Sequence, residues 1–547
     1  MVSSFSIFVE VEYGKMSQET PALVQPYPPE ELWPKFIYSL PELEYSEQLN
    51  ACYELLDAHL SNGRGAAPAV YFGSSTLTYN DVYDQVVGMA GALHEKGIGP
   101  GDRVLLRLLN RPHFITAWLA LLRLGAVAVA TSPLIKAREI EAVIDSSRPK
   151  LLVTEPDLME EVHRLSDSRP MVAMVDELTN THSFAHVPCS STRPDSLAII
   201  AYTSGSTGVP KGCMHSHGAL LASADSYARY VLKPTSDDRF GGHPTMAFTY
   251  GLGGLLLFPF RFGASSVLLD RYTPEGLIQT IERHHITIVS CAPTTYRILM
   301  RQFPDLKQRV QSLRLAVSAG ETLSESTYTA WMNTTGVEIL GGLGSTEMLH
   351  IFISGRAGHT RPGTTGQVVP GYEAMVVDEN LEQVPDGTGG LLAVRGPTGC
   401  RYLSLPERQK EYVRDGWNIP GDVYVRDSEG FFHYQCRNDD LIICGGYNIA
   451  GPEVESVLLQ HPAVMEAAVV ASPEELHGFV PKAFVVLNKT HVPSEHLKTQ
   501  LQQFVKEEIA PYKYPRKIEF VTELPKTSTG KIRRRELRRL ELEYARE

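Results

Sequence analysis

The sequence has few cysteines, no long apolar run and no excess of basic charge. Its seven cysteines lie between Cys52 and Cys444, with no two in a CxxC arrangement. An odd, scattered count in a large chain fits a reducing cytosol better than a disulfide scaffold. His215 and His217 sit at alternate positions with no third ligand evident, so zinc is not expected there. The longest apolar stretches are Ile115–Leu122, ended by Arg123, and Gly251–Phe260, ended by Arg261. Both fall short of the roughly 20 residues a membrane helix needs and read as core. Near the start, Glu10 and Glu12 interrupt any signal-peptide pattern, so residues 1–15 read as a weakly structured extension and the expected location is cytoplasmic. Lys and Arg number 51 against 63 Asp and Glu, a net charge of −12, which argues against nucleic acid as a main partner. Internal repeats and low-complexity tracts are absent.

What is present is a core-forming composition: 547 residues, 43% hydrophobic and 21% charged, enough for a large α/β protein. Helical spacing over Asn80–Lys96 precedes a β-branched run at Arg103–Leu106. The alternation continues through a helix at Phe114–Leu124, a strand at Val127–Ala130, a helix at Arg138–Ser146 and a strand at Leu151–Thr154. It returns at Ala198–Thr203, Ser266–Leu269, Ile286–Cys291 and Leu313–Ser318, so helix-wrapped parallel sheets are expected. Beyond about residue 365 the texture changes to antiparallel strands at Gly366–Asp378, Gly390–Arg395 and Phe431–Tyr434. A smaller α/β unit follows, with helices at Pro452–Gln460 and Ser494–Ile509 and strands at Val464–Ser472 and Lys482–Leu487. The expected fold class is therefore α/β, with a large N-terminal domain of wrapped sheets carrying a β-rich subdomain (1–438) and a small mobile α/β C-terminal domain (439–547).

The most informative segment is Ile199–Gly212, IIAYTSGSTGVPKG. An apolar strand runs into Thr203, Ser204, Gly205, Ser206, Thr207 and Gly208, followed by Lys211. Glycines let the backbone approach closely, hydroxyls and N–H groups donate hydrogen bonds, and the lysine adds charge, so the segment is a cradle for phosphate oxygens. By composition alone a Ser/Gly-rich surface loop would be the better reading; the preceding strand and the Pro-Lys-Gly ending reverse that. It is not a Walker loop, because Pro210 stands where that motif needs glycine. Gly251-Leu-Gly253 is not a dinucleotide fingerprint, because position 256 is Leu, and the Gly-x-Ser-x-Gly elbow of hydrolases is missing.

The segment resembles the signature of the adenylate-forming superfamily: acyl-CoA synthetases, peptide-synthetase adenylation domains and luciferases. Four further segments match in order: Gly341–Glu347 (GGLGSTE), Gly421-Asp422, Arg437–Asp440 leading into Ile442–Gly446, and Pro525–Lys531 (PKTSTGK). The resemblance covers roughly residues 45 to 540 and implies ATP, Mg²⁺ and coenzyme A as cofactors. It implies that Thr346 contacts phosphate, Glu347 holds magnesium, Asp422 accepts the ribose hydroxyls and Arg437 adds a ribose contact or an interdomain ion pair. The resemblance further implies that Gly320, Glu321, Gly342 and Leu343 border the adenine, with Leu343 standing where many relatives carry a stacking aromatic. Lys531 would stabilise charge on the pentavalent α-phosphate; the adjoining Arg533–Arg535 run reads as a solvated helix start. The reaction that the resemblance implies has two steps: a carboxylate attacks the α-phosphate to give an acyl-adenylate, and after the C-terminal domain turns about Asp439 a thiol passing near Gly446 displaces AMP.

The acid-binding wall implied by the resemblance comprises Phe248, Tyr250, Ala319, Gly344, Leu349 and His350. Aromatic walls beside the small Ala319 and Gly344 suit one flat ring. The run Gly344–Ser354 and the stretch Pro28–Asn50 resemble the benzoate and 2-aminobenzoate CoA ligase branch in particular. The leading expectation is an ATP-dependent 2-aminobenzoate (anthranilate) CoA ligase. Benzoate or another substituted benzoate is the near alternative. A stand-alone adenylation enzyme loading a carrier protein is a second class, and a downstream acyltransferase would then be a further partner. A luciferase-type oxidase and a non-catalytic ATP-binding module are disfavoured, the latter because Thr346, Glu347, Asp422 and Lys531 are all present. Pathway and oligomeric state stay open.

Overall fold

A computed structural model describes residues 27–166, 169–179, 187–204, 210–444, 447–474, 478–509, 513–526 and 530–544. Two large sheets form the body. The first orders its strands Met171–Met174, Leu151–Thr154, Arg103–Arg107, Val127–Ala130, Leu197–Ser204 and Pro210–Ser216. Its first five strands are parallel and the last antiparallel. The inner strands are buried along most of their length, which is why they read as continuous apolar runs. The second sheet runs Gln367–Val368, Ile351–Ser354, Ile339–Gly344, Leu315–Ser318, Ile288–Cys291, Arg239–Gly242, Ser265–Leu268, Pro68–Phe72 and Ser75–Thr78.

Helix Tyr79–Glu95 shows how local chemistry sets the elements. Thr78 and Asp81 form a reciprocal capping box at its start, and Gly97, at φ +78°, follows its end. Helix Pro112–Arg123, buried along nearly its whole length, packs on it and on the first sheet, so the expected core stretch Ile115–Leu122 is indeed core. The stretch Gly251–Phe260 is buried too, but as two short helical turns joined through a π-helical segment, Gly253–Leu257.

The antiparallel layer departs from the sequence reading in one place. Gly366–Asp378 is two elements: Gln367–Val368 adds to the second sheet, while Glu373–Val377 pairs with Gly389–Arg395 in a third. That third sheet also holds the hairpin Asp422–Arg426 and Phe432–Arg437. A 3₁₀ turn at Asn438–Asp440 leads from it to a fourth sheet of Tyr447–Ala450, Leu441–Cys444, Gly478–Leu487, Val464–Glu474 and Lys517–Phe520. Helices Gly451–Leu458 and Glu495–Glu508 cover one face of this sheet. The Arg533–Arg535 run is not simply solvated. Arg534 opens helix Arg534–Tyr544 and grips the buried Glu455 carboxylate at 2.5 and 3.0 Å, while Arg538 pairs with Asp440 at 2.5 Å. Among the described residues no helix is long and apolar enough to cross a membrane.

Candidate nucleotide and acid site

The two strands of the signature segment pair antiparallel, with Thr203 opposite Lys211 and Ser204 opposite Pro210. Gly205, Ser206, Thr207 and Gly208 lie outside the described residues. Lys211 is held below its ordinary ammonium pKa, chiefly by burial and then by the nearby Arg408 guanidinium, against the opposing pull of Glu347. The Glu347 carboxylate accepts a hydrogen bond from the Tyr402 hydroxyl at 2.8 Å, which fixes one oxygen and, among the described residues, leaves the other for a ligand. The backbone oxygen of Thr346 accepts from His215 Nε2 at 2.8 Å. His215 is buried and held neutral, with its pKa lowered to about 4 by burial, so Nε2 carries the proton in this bond.

Asp422 opens a strand rather than occupying a turn, directly opposite Arg437 in the hairpin register, and the two form an ion pair at 3.0 Å. Burial pushes the Asp422 carboxyl above its usual range, and Arg437 holds the rise back. Lys531 comes from the other side of the 438–440 turn, yet stands within electrostatic reach of Glu321, Asp422, Glu347 and Arg437. It is open to the cleft by surface area. The protein mass around it still lowers its pKa, burial being the largest cause and Arg437 adding to it, while the three carboxylates oppose. Glu321 accepts from the Thr294 hydroxyl at 2.7 Å. Beside it Gly320 has φ +89° with no atom within 4 Å of where a side chain would stand, so a planar base can lie against this backbone. Gly342 and Leu343 lie on the adjoining strand, paired with Ser354 and Ile353.

On the acid side, Phe248 caps the short helix Thr249–Leu252, and the Tyr250 hydroxyl donates to the carbonyls of Val317 and Cys291 at 3.1 and 3.3 Å. Ala319 follows the strand Leu315–Ser318 and is buried. Gly344 is exposed, and a β-carbon on it would meet the His350 carbonyl at 2.8 Å. Leu349 is buried at φ +67°, a left-handed conformation that disfavours a leucine by about 1 kcal/mol or more. This kink swings His350 into an aromatic box of Phe258, Tyr227 and Tyr250, with ring centroids at 4.6, 5.4 and 5.9 Å. His350 Nε2 lies 3.4 Å from the Tyr250 carbonyl, and its Nδ1 is buried without a partner among the described residues.

The fold thus gathers Lys211, Glu321, Glu347, Asp422, Arg437 and Lys531 around one cleft from segments some 320 residues apart, Lys211 through Lys531. Asp439 lies in the turn joining the third and fourth sheets; Gly446 lies outside the described residues. Sequence reasoning missed Tyr402, His215, Thr294 and Gly253. The first three act through partners 55, 131 and 27 positions away, and no local pattern marks them.

Four imidazoles have their pKa lowered by burial, His215, His217 and His243 to about 4 and His350 to about 3. Unfolding returns them to about 6.5, so between pH 6.5 and 4 the unfolded chain binds more protons and stability falls as pH falls. Each contributes a slope of about 1.4 kcal/mol per pH unit there. The melting temperature should be level from pH 7 to 8 in this respect and decline steadily below 6.5. His217→Gln should flatten that decline; an unchanged slope would mean His217 is not held neutral.

A family profile described as AMP-binding enzyme matches residues 58–402, and one described as AMP-binding enzyme C-terminal domain matches 453–531. The chain is 36% identical over 515 residues to a benzoate–CoA ligase of Thauera aromatica, covering 91% of this chain and 97% of that one. It superposes on the anthranilate CoA ligase AuaEII in complex with anthranoyl-AMP with a TM-score of 0.86 and 33% identity, covering 92% of this chain and 100% of that one. A benzoate CoA ligase from Burkholderia xenovorans LB400 gives a TM-score of 0.82 at 33% identity, with 90% and 100% covered. The chain belongs to the AMP-binding enzyme family, in the branch of the adenylate-forming superfamily that holds the benzoate and anthranilate CoA ligases. It is an AMP-forming acid–CoA ligase, and ATP, Mg²⁺ and coenzyme A are the reactants and cofactor of this class. The donor set fits them: a carboxylate with one oxygen fixed and one spare suits a hard, water-carrying cation, and Lys211 and Lys531 supply charge for phosphate oxygens.

Proposed function

We propose that the enzyme joins 2-aminobenzoate to coenzyme A, with ATP converted to AMP and diphosphate through an aryl-adenylate. One observation carries the choice of acid. The Tyr250 carbonyl can only accept, so the neutral His350 ring bears its proton on Nε2. Nδ1 is then a buried acceptor in need of a donor. An unpaired buried acceptor is worth about 1–3 kcal/mol to whatever satisfies it. The ring amino group of 2-aminobenzoate supplies an N–H; unsubstituted benzoate has none. The likeness to a structure holding anthranoyl-AMP supports the same choice. Benzoate is the second reading, favoured by the 36% identity to a benzoate–CoA ligase.

In this reading Phe248, Tyr250, Ala319, Gly344, Leu349 and His350 hold the aryl ring with its carboxylate towards the cleft. Asp422, with Arg437 ion-paired beside it, takes the ribose, and Gly320 and Glu321 border the adenine with Gly342 and Leu343. The hydroxyls of Thr203 to Thr207, Lys211 and Thr346 hold the triphosphate. Glu347, oriented by Tyr402, would hold Mg²⁺, which when bound offsets the charge on the phosphate oxygens. The acid's carboxylate oxygen attacks the α-phosphorus and diphosphate leaves. The Lys531 ammonium stabilises the negative charge gathered on the α-phosphoryl oxygens. The domain from residue 439 then turns about Asp439, removing Lys531 and bringing the Gly446 face to the thiol path. The thiol displaces AMP.

A coupled assay tests the reading: enzyme, MgATP and CoA with 2-aminobenzoate, benzoate, 2-hydroxybenzoate, cinnamate and octanoate in parallel, AMP and acyl-CoA followed by mass. 2-Aminobenzoate should give the highest kcat/KM. His350→Leu should lower the 2-aminobenzoate to benzoate ratio about tenfold, one neutral hydrogen bond's worth. An unchanged ratio would remove the amino-group contact, and adenylate without acyl-CoA would redirect the reading to a carrier-loading enzyme.

A further inference from the structure

Away from the cleft, two cysteines share one carboxylate. Cys52 stands just before the π-helical segment Tyr53–Asp57, and Cys189 lies in the connection leading to the strand Leu197–Ser204. Their sulfurs and an Asp57 oxygen all lie within 4.8 Å of one another, each Sγ being 4.0 Å from an Asp57 oxygen. The backbone holds the two strands of chain together independently of the sulfurs. Leu49 N–H donates to the Thr192 carbonyl at 2.8 Å, and the Asn50 side-chain amide donates to the Ser190 carbonyl at 3.1 Å.

A metal ion is the first alternative for such a trio. Arg123 opposes it: Nη1 donates to both Asp57 oxygens at 2.9 and 3.1 Å and to Cys189 Sγ at 3.4 Å, so a fixed cation already occupies the ligand atoms. The same fixed positive charge repels a dication from these atoms. Exposure separates the two thiols. Cys52 is fully buried, whereas Cys189 is half-exposed. The chain holds a second adjacent pair, Cys213 and Cys400, but both of those are fully buried and out of reach of a solvent oxidant.

We infer that Cys189 and Cys52 form a peroxide-responsive thiol pair, Cys189 reacting first and Cys52 resolving it to a disulfide. The Cys189 sulfur attacks hydrogen peroxide. An S–O bond forms and the O–O bond breaks; the sulfur is oxidised by two electrons to a sulfenic acid, and the departing oxygen leaves as water carrying the Cys189 thiol proton. The Cys52 sulfur then attacks the sulfenic sulfur, the S–O bond breaks, and the hydroxyl leaves as a second water carrying the Cys52 proton. Overall two thiols and one peroxide give one disulfide and two waters, and a dithiol reductant reverses it. The two sulfurs start within 4.8 Å of each other and close to a bond length of about 2.05 Å. The bond ties residues 49–57 to the connection that enters the strand Leu197–Ser204, and so to the segment bearing Thr203.

The test uses the full-length enzyme. Reduced protein is treated with hydrogen peroxide, alkylated and mapped by mass spectrometry without reduction. A peptide linking Cys52 to Cys189 should appear, with two of the seven thiols lost and both regained on dithiothreitol. Cys189→Ser should lose no thiol under the same treatment. Cys52→Ser should accumulate a dimedone adduct on Cys189. A linked Cys213–Cys400 peptide in place of Cys52–Cys189, a stable dimedone adduct on wild-type Cys189, or unreactive thiols throughout would overturn the proposal. So would one equivalent of co-purifying zinc that disappears in Cys52→Ser.

Discussion

Lys531→Ala should lower the rate of adenylate formation by about 10²–10³-fold, the range for removing one preorganised group that meets transition-state charge. Thioester formation from supplied aryl-adenylate and CoA should stay within about threefold of wild type. The split follows from where the lysine stands. Three carboxylates, on Glu321, Asp422 and Glu347, draw it into the cleft from the C-terminal side of the 438–440 turn. The lysine is carried by the small domain, so its presence in the cleft depends on how that domain is docked. If the domain turns between half-reactions, the second half does not use Lys531. Pyrophosphate release measured against supplied-adenylate turnover checks this. Equal loss in both halves would mean that Lys531 stabilises one fixed arrangement and that no alternation occurs.

Much of the fold could be read from the sequence. The strand cores Val127–Ala130 and Leu151–Thr154 match to the residue, because short β-branched runs buried on both faces leave little freedom in where they start or stop. The helix expected over Asn80–Lys96 is found at Tyr79–Glu95, ended before Gly97 and started by the Thr78 capping box, which was not read from the sequence. The site was legible only where glycine, hydroxyl and charge cluster along the chain. Tyr402 escaped because its role exists only through Glu347, 55 positions earlier in sequence. Arg534 was misread as solvated because nothing near it shows that Glu455, 79 positions away, lies buried beneath it. The split of Gly366–Asp378 between two sheets was hidden for a related reason: a strand's own alternation does not say which partner it has.

Gly253 is the other position from which a large effect is expected, and nothing in its sequence neighbourhood singles it out beyond a failed nucleotide fingerprint. A β-carbon built there would lie 2.3 Å from Cδ2 and 2.4 Å from Nε2 of His350, and 3.0 Å from the edge of Phe258. The imidazole has nowhere to retreat, since Tyr227, Tyr250 and Phe258 close around it and Leu349 is already in a left-handed conformation. Gly253→Ala must therefore displace the ring, breaking its contact with the Tyr250 carbonyl and moving Nδ1. Overpacking of this kind costs about 1–3 kcal/mol. For an acid held by one aromatic box, kcat/KM should fall about 10²-fold, because misplacement by about 1 Å is enough to lose near-attack geometry. The KM for ATP should hold within about twofold, since Gly253 touches none of the groups on the nucleotide side. Cancelling the clash supplies the decisive control. The double variant Gly253→Ala with His350→Ala should be no worse for the acid than His350→Ala alone, the strong non-additivity of two residues in direct contact. If the two effects instead add, Gly253 acts through the π-helical backbone of 253–257 rather than through the histidine, and the acid pocket is built differently from the one proposed here.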